Sequence, residues 1–230
     1  MNKLETNKNL RNKVFSFVIV GSCQYIVLTI IAMFLYAGGT LDNPNQKGYS
    51  FFYNFFSDLG RTTNHLGEPN TISWFLFTIS AIVVGITMIV FYLSWTYLFK
   101  DSEKSNNISK IGSIFGSIAG LSFIGVAFTP YDLLLDLHIQ FVQLGFLFTF
   151  LGISIYSLLL FMHSTYPKVF SYALMVQSLL SFLFLLLLFF GPTAESSTGL
   201  FIQVVGQKII IYAMATSYII QGYGAWQMTK

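Results

Sequence analysis

Val169-Phe-Ser-Tyr-Ala-Leu-Met-Val-Gln-Ser-Leu-Leu-Ser-Phe-Leu-Phe-Leu-Leu-Leu-Leu-Phe-Phe190 runs its whole length without a charged residue. A bilayer core of roughly 30 Å needs about 20 such residues to cross it. Lipid offers the backbone no hydrogen-bond partner, so a run of this length reads as a helix. Five more stretches have the same character: Phe15–Ala37, Ile72–Phe99, Ile111–Thr129, Leu137–Phe161 and Leu200–Trp226. The expected fold is therefore all-α, a single six-helix transmembrane bundle over residues 1–230, with a long interfacial connector at 38–71.

Composition points the same way. Only 9% of residues are charged and 54% are hydrophobic, where soluble domains carry about 25% charged residues. The net charge of +3 is no nucleic-acid signal, because the basic residues track the connectors. Cys23 lies alone inside the first span, which rules out an internal disulfide and suggests a small packing residue. The apolar run after Met1–Lys13 exceeds a signal-peptide core, and Leu35-Tyr-Ala-Gly-Gly39 is a poor cleavage site, so it reads as an uncleaved first span.

Lys and Arg collect on the cytoplasmic side of membrane proteins. Lys3, Lys8, Arg11 and Lys13 precede the first span, Lys100, Lys104 and Lys110 fill the second connector, Lys168 lies in the fourth, and Lys230 ends the chain. The alternate connectors hold only Lys47 and Arg61. Both termini are thus expected in the cytoplasm of a cell-membrane protein, with the first, third and fifth connectors outside.

Unusual residues gather on that outer side. Tyr49-Ser-Phe-Phe-Tyr-Asn-Phe-Phe56 suits the headgroup region, and Ser57-Asp58-Leu59-Gly60-Arg61 follows it. Asn64–Thr71 supplies turn and N-cap chemistry for the second span, and His65 reads as a solvated or turn-bonding residue there. Pro130 should end the third helix. Asp132 and Asp136, four apart, would share a helical face.

Lys208 sits about 12 Å into the sixth span at 1.5 Å per residue. A lysine at the bilayer centre costs at least about 2.5–3.5 kcal/mol, so it wants a partner unless it snorkels to the interface. Asp58, Asp132 and Asp136 are the candidates, with Asp58 favoured, and Gln203 and Gln207 accompany the lysine. In the fourth span Asp136, Gln140 and Gln143 mark one stripe; His138, Gly145, Thr149 and Gly152 mark another, which should face a neighbouring helix. Gly112-x-x-x-Gly116-x-x-x-Gly120 is a close-packing ridge, expected to pack within the chain, though such a ridge also suits a homodimer. The fifth span, without an ionisable residue, should face lipid.

Several chemistries find no footing in these residues. There is no phosphate-binding glycine loop, and no histidine spacing of the kind a metal site uses. Ser57 lacks the context of a nucleophile elbow, and the two halves show no internal repeat of the transporter type. No cofactor is implied.

Ser57-Asp58-Leu59-Gly60, Pro130-Tyr131-Asp132, His138 and Gln207-Lys208 together resemble a widespread prokaryotic family of uncharacterised six-span membrane proteins. That family is distantly similar to the eukaryotic DRAM autophagy modulators and to the membrane proteins that remodel GPI-anchor lipids. Its members usually carry an arginine where this chain has Lys208, a change that keeps the charge and loses bidentate pairing. The resemblance implies the fold and a polar site on the outer face; it implies no activity.

The leading expectation is a lipid-handling protein with membrane lipids as partners. Ser57, Asp58 and His138 would form its catalytic set, with His138 as general base. Lys208, Gln207, Asp132, Asp136 and Arg61 would be its binding set, with Lys208 drawing an anionic headgroup. A transporter, or a scaffold built on a Lys208–Asp58 pair, are the alternatives.

Overall fold

A computed structural model describes residues 3–100 and 102–228, with side chains from residue 11 onward. Lys230, Asp101 and the side chains of Lys3 and Lys8 lie outside the described residues. Six helices follow one another: α1 Lys3–Phe34, α2 Thr71–Trp95, α3 Glu103–Phe128, α4 Leu135–Met162, α5 Lys168–Phe190 and α6 Ser197–Gln227. Even α5, the shortest at 23 residues, is about 35 Å long at 1.5 Å per residue, enough to cross a bilayer core. All six are long and apolar enough to span. The chain is a multi-pass membrane protein.

Helix boundaries follow local chemistry. α1 stops before Gly38 and Gly39, whose φ values of +106° and +84° reverse the chain in a conformation that side chains resist. Ser102 caps α3 by accepting the Ser105 N–H, so Lys104 and Lys110 belong to the first turns of α3 rather than to a connector. α3 ends at Phe128, just ahead of Pro130, as expected.

Each helix packs on its neighbours in the chain, and α6 closes on α1, making a ring of six in sequence order. An even number of crossings puts both termini at one end; the 35–70, 129–134 and 191–196 connectors share the other, the loop end. Lipid supplies no hydrophobic drive between helices, so close contact and small residues do the work. The glycine ridge serves this purpose inside the chain: Gly112 lies against Tyr156 of α4, Gly116 against Tyr92 of α2, and Gly120 against the Gly85 carbonyl of α2. A dimer through that ridge would have to displace this packing. α5 is the least enclosed helix, matching its expected lipid exposure. Cys23 also faces outward, so it does not pack in the interior as expected.

The two ends of the interior differ. Towards the termini, Phe91, Tyr92 and Trp95 of α2 stack against Tyr156 of α4 and Tyr218 of α6. Ser113 donates to the Tyr92 carbonyl at 2.6 Å, and Tyr156 donates to the Ser109 carbonyl at 2.9 Å. At the loop end, the long first connector folds into the ring and carries the polar residues with it.

Candidate functional site

The connector's decisive piece is a 3₁₀ helix, Phe56–Gly60, in which every residue is buried. Asp58 starts it, with one carboxylate oxygen accepting the Phe55 N–H at 2.9 Å. The same oxygen accepts from Asn54 Nδ2 at 2.9 Å. Asn54, wholly buried, also donates to the Gly39 carbonyl at 2.7 Å and accepts the Ser50 N–H at 2.9 Å. One asparagine thereby ties three parts of the connector together.

Lys208 rises from α6 into this knot. It is 2% exposed, so it does not snorkel to the surface. Its ammonium donates to the Asn54 carbonyl and lies 5.2 Å from the ring centroids of both Tyr49 and Phe51 and 6.0 Å from that of Phe56. Lys208 and Asp58 make no direct ion pair: a backbone carbonyl and three aromatic faces contact the ammonium, at distances where cation–π attraction is appreciable, and Asp58 acts on it from across Asn54. The nearest basic group to Asp58 is His65, whose Nε2 is 3.6 Å from Oδ1, an ion pair only when the imidazole is protonated. His65 lies in the turn, as expected, with its ring largely covered and facing Asp58. In this closed arrangement the first connector covers the lysine, so a headgroup would meet it only after the connector shifts.

The remaining expected residues divide. Gln207, one position before Lys208, accepts the Phe56 N–H on Oε1 at 2.7 Å, which leaves its NH₂ group free of that bond. Asp132 accepts from the Thr62 and Thr63 N–H groups and from both their hydroxyls. Partial burial acts to raise its pKa, but these donors outweigh it and hold the carboxyl below its ordinary value. Asp132 thus staples the third connector to the first. Arg61 donates to the Thr63 carbonyl at 3.0 Å and lies 5.8 Å from the Tyr131 ring. Asp136 is exposed, apart from the cluster. It shares no helical face with Asp132, because the Pro130 turn continues to Leu134 before α4 begins.

His138 is the residue with chemistry to spare. It is 2% exposed, and its Nδ1 meets the Thr129 carbonyl at 2.6 Å. A carbonyl only accepts, so Nδ1 carries the proton and Nε2 of the neutral ring is a bare acceptor. That Nε2 is buried and without a hydrogen-bond partner. It belongs to a residue lining a cavity of about 30 Å³ together with Ser57, Gln207, Tyr25, Phe77 and Phe146. A void above about 15 Å³ admits a water-sized group, so a hydroxyl fits here. Ser57 is 7% exposed, and its backbone belongs to the 3₁₀ helix while its hydroxyl is left out of that ladder. A second, apolar cavity of about 20 Å³ shares Tyr25, Val84, Phe123 and Ile211 with it and leads on to Met214 and Tyr218.

Sequence reasoning missed Asn54 and the approach of His65 to Asp58. An asparagine amid six aromatic residues was the available signal for the first, since a lone amide in an apolar run needs local partners. Gln203, grouped with Lys208 by sequence, instead caps α5 by donating to the Leu187 and Pro192 carbonyls. No metal-binding cluster of His, Cys, Asp or Glu occurs among the described residues. No protein-family model matches the chain, and no curated protein and no solved structure matches it either.

Proposed function

We propose that this protein acts on membrane lipids at its loop end, by hydrolysis or transfer of an acyl ester. The carrying observation is His138: its Nδ1 is anchored by the Thr129 carbonyl, and its bare Nε2 belongs to a cavity shared with an uncommitted serine hydroxyl. A general base needs that tautomer, held rigidly. In this reading Ser57 is the nucleophile and His138 takes its proton, then returns it to the leaving alcohol. The free NH₂ of Gln207 is the donor for the developing oxyanion. Asp58, Asn54 and Lys208 are positioning residues that hold the 3₁₀ helix carrying Ser57. The apolar lining below the serine suits an acyl chain, which enters once the connector shifts.

The transporter reading needs a polar route through the membrane. The termini end of the bundle is filled by Phe91, Tyr92, Trp95, Tyr156 and Tyr218, which argues against it. The scaffold reading was built on a Lys208–Asp58 ion pair, and the lysine has other partners.

The test is acyl release from phosphatidylglycerol and phosphatidylethanolamine in nanodiscs, followed by mass spectrometry. Wild type should release fatty acid, and Ser57→Ala and His138→Ala should each lose about 100-fold or more while melting near wild type. No release above protein-free discs, or equal rates in all three proteins, would sink the catalytic reading.

A further inference from the structure

The termini end of the bundle carries a cleft unrelated to the loop-end site. It has a volume of about 260 Å³ and lies between α1 and the end of α2, continuing along the 3₁₀ turn Thr96–Phe99. Its lining includes Arg11, Ser94, Thr96, Tyr97 and Lys100. The Arg11 guanidinium lies 4.6 Å from the centroid of the Tyr97 ring, and the Lys100 ammonium 4.2 Å from the same centroid. Two cations thus share one ring and line one cleft. Among the described residues, Arg11 Nε is buried without a hydrogen-bond partner, and neither Arg11 nor Lys100 lies in an ion pair.

Like charges gathered in a half-buried cleft repel one another, and the surrounding protein weakens the screening that water would give. The Tyr97 ring relieves part of this through cation–π attraction but leaves Arg11 Nε without a hydrogen-bond partner among the described residues. A buried donor without a partner costs about 1–3 kcal/mol. An anion with several oxygens would remove both penalties at once. Guanidinium geometry favours phosphate in particular, because its fork of donors matches two phosphate oxygens. The cleft also holds Val14, Phe15 and Leu93, so one wall is apolar, as an amphiphile would require. Basic pockets between transmembrane helices at the level of the headgroups bind acidic lipids on these grounds.

We propose that the Arg11–Tyr97–Lys100 cleft binds the phosphate of an anionic phospholipid headgroup, with the acyl chains lying along α1 and α2. The site requires neither Ser57 nor His138 and stands whether or not the loop end is catalytic.

The experiment titrates detergent-purified full-length protein with short-chain phosphatidylglycerol, phosphatidylcholine and inorganic phosphate, reading the rise in melting temperature and the apparent Kd. Wild type should bind phosphatidylglycerol about tenfold or more tightly than phosphatidylcholine, and Arg11→Gln/Lys100→Gln should lose that preference. Lys13→Gln removes a neighbouring charge outside the cleft and should leave binding unchanged. If the double variant melts too low to titrate, Lys100→Gln alone serves, since its side chain is exposed and its loss should cost binding without unfolding. Inorganic phosphate that matches phosphatidylglycerol in wild type and fails in the variant would support the phosphate site while overturning the lipid as its source. Equal affinity for the two lipids, or a preference that survives in the variants, would overturn the proposal.

Discussion

At the scale of single residues, Asp132 shows how a carboxylate can look like a ligand and act as a staple. It gathers two backbone N–H groups and two hydroxyls from Thr62 and Thr63. Asparagine in its place would turn an NH₂ group towards donors that need an acceptor. Hydrogen bonds to a charged group are worth about 1.5–3 kcal/mol, and exposure reduces this, so Asp132→Asn should destabilise by about 1–2 kcal/mol at neutral pH. The acid dependence has a definite sign. The folded pKa is depressed, so the stabilisation is complete above the unfolded carboxyl value of about 3.9 and is lost as pH falls from there through the folded value. Melting curves of wild type and Asp132→Asn in detergent should therefore be separated at pH 7 and at pH 5, then converge below about pH 3.9. No separation at pH 7, or a separation undiminished at about pH 2, would show that the contacts contribute nothing through the charge.

At the scale of helices, the α2–α3 contact is set by two glycines facing each other's backbone. A Cβ on Gly120 would lie 2.6 Å from the Gly85 carbonyl oxygen, and one on Gly85 would lie 2.5 Å from the Gly120 carbonyl. Neither carbonyl moves without its helix. A Cβ on Gly145 would meet a Phe123 ring carbon at 3.3 Å, and a ring can turn. Gly120→Ala should thus cost about 1–3 kcal/mol through overpacking, and Gly145→Ala less than half of that, both read from thermal unfolding. Equal effects would mean that α3 shifts freely on α2. The ridge was legible in the sequence, because the four-residue spacing of Gly112, Gly116 and Gly120 is itself helical geometry, but its partner Gly85 was not. The six spans were legible for a similar reason, since apolar length is the property that lipid selects. The partners of Lys208 and His138 were not. Both are backbone carbonyls, of Asn54 and Thr129, and every residue has a carbonyl, so the sequence carries no mark of which one is used. The pairing of Asp132 with Asp136 failed because it assumed helix where the Pro130 turn continues.

At the scale of the whole molecule, the ring places different chemistry at its two ends. The loop end holds His138, Ser57 and the buried knot around Asn54; the termini end holds an aromatic fill and the Arg11–Lys100 cleft. What each end meets depends on the orientation, which charge governs. Of 12 Lys and Arg residues, Lys208 lies in a span and only Lys47 and Arg61 lie at the loop end. From an asymmetry this large we infer cytoplasmic termini, an orientation that would set the proposed lipid-acting site against the outer leaflet and the proposed cationic cleft against the acidic inner one. Cysteine labelling tests this directly. Cys23 faces outward from α1, so it is first replaced by serine. Lys47→Cys and Ser164→Cys then put single thiols at exposed positions on opposite ends. In intact cells a membrane-impermeant maleimide should label Lys47→Cys and leave Ser164→Cys untouched until the membrane is opened. The reverse pattern would turn the molecule over and exchange the leaflets of both proposed sites. Equal labelling of the two would mean that the chain inserts both ways, and that its charge asymmetry does not set its orientation.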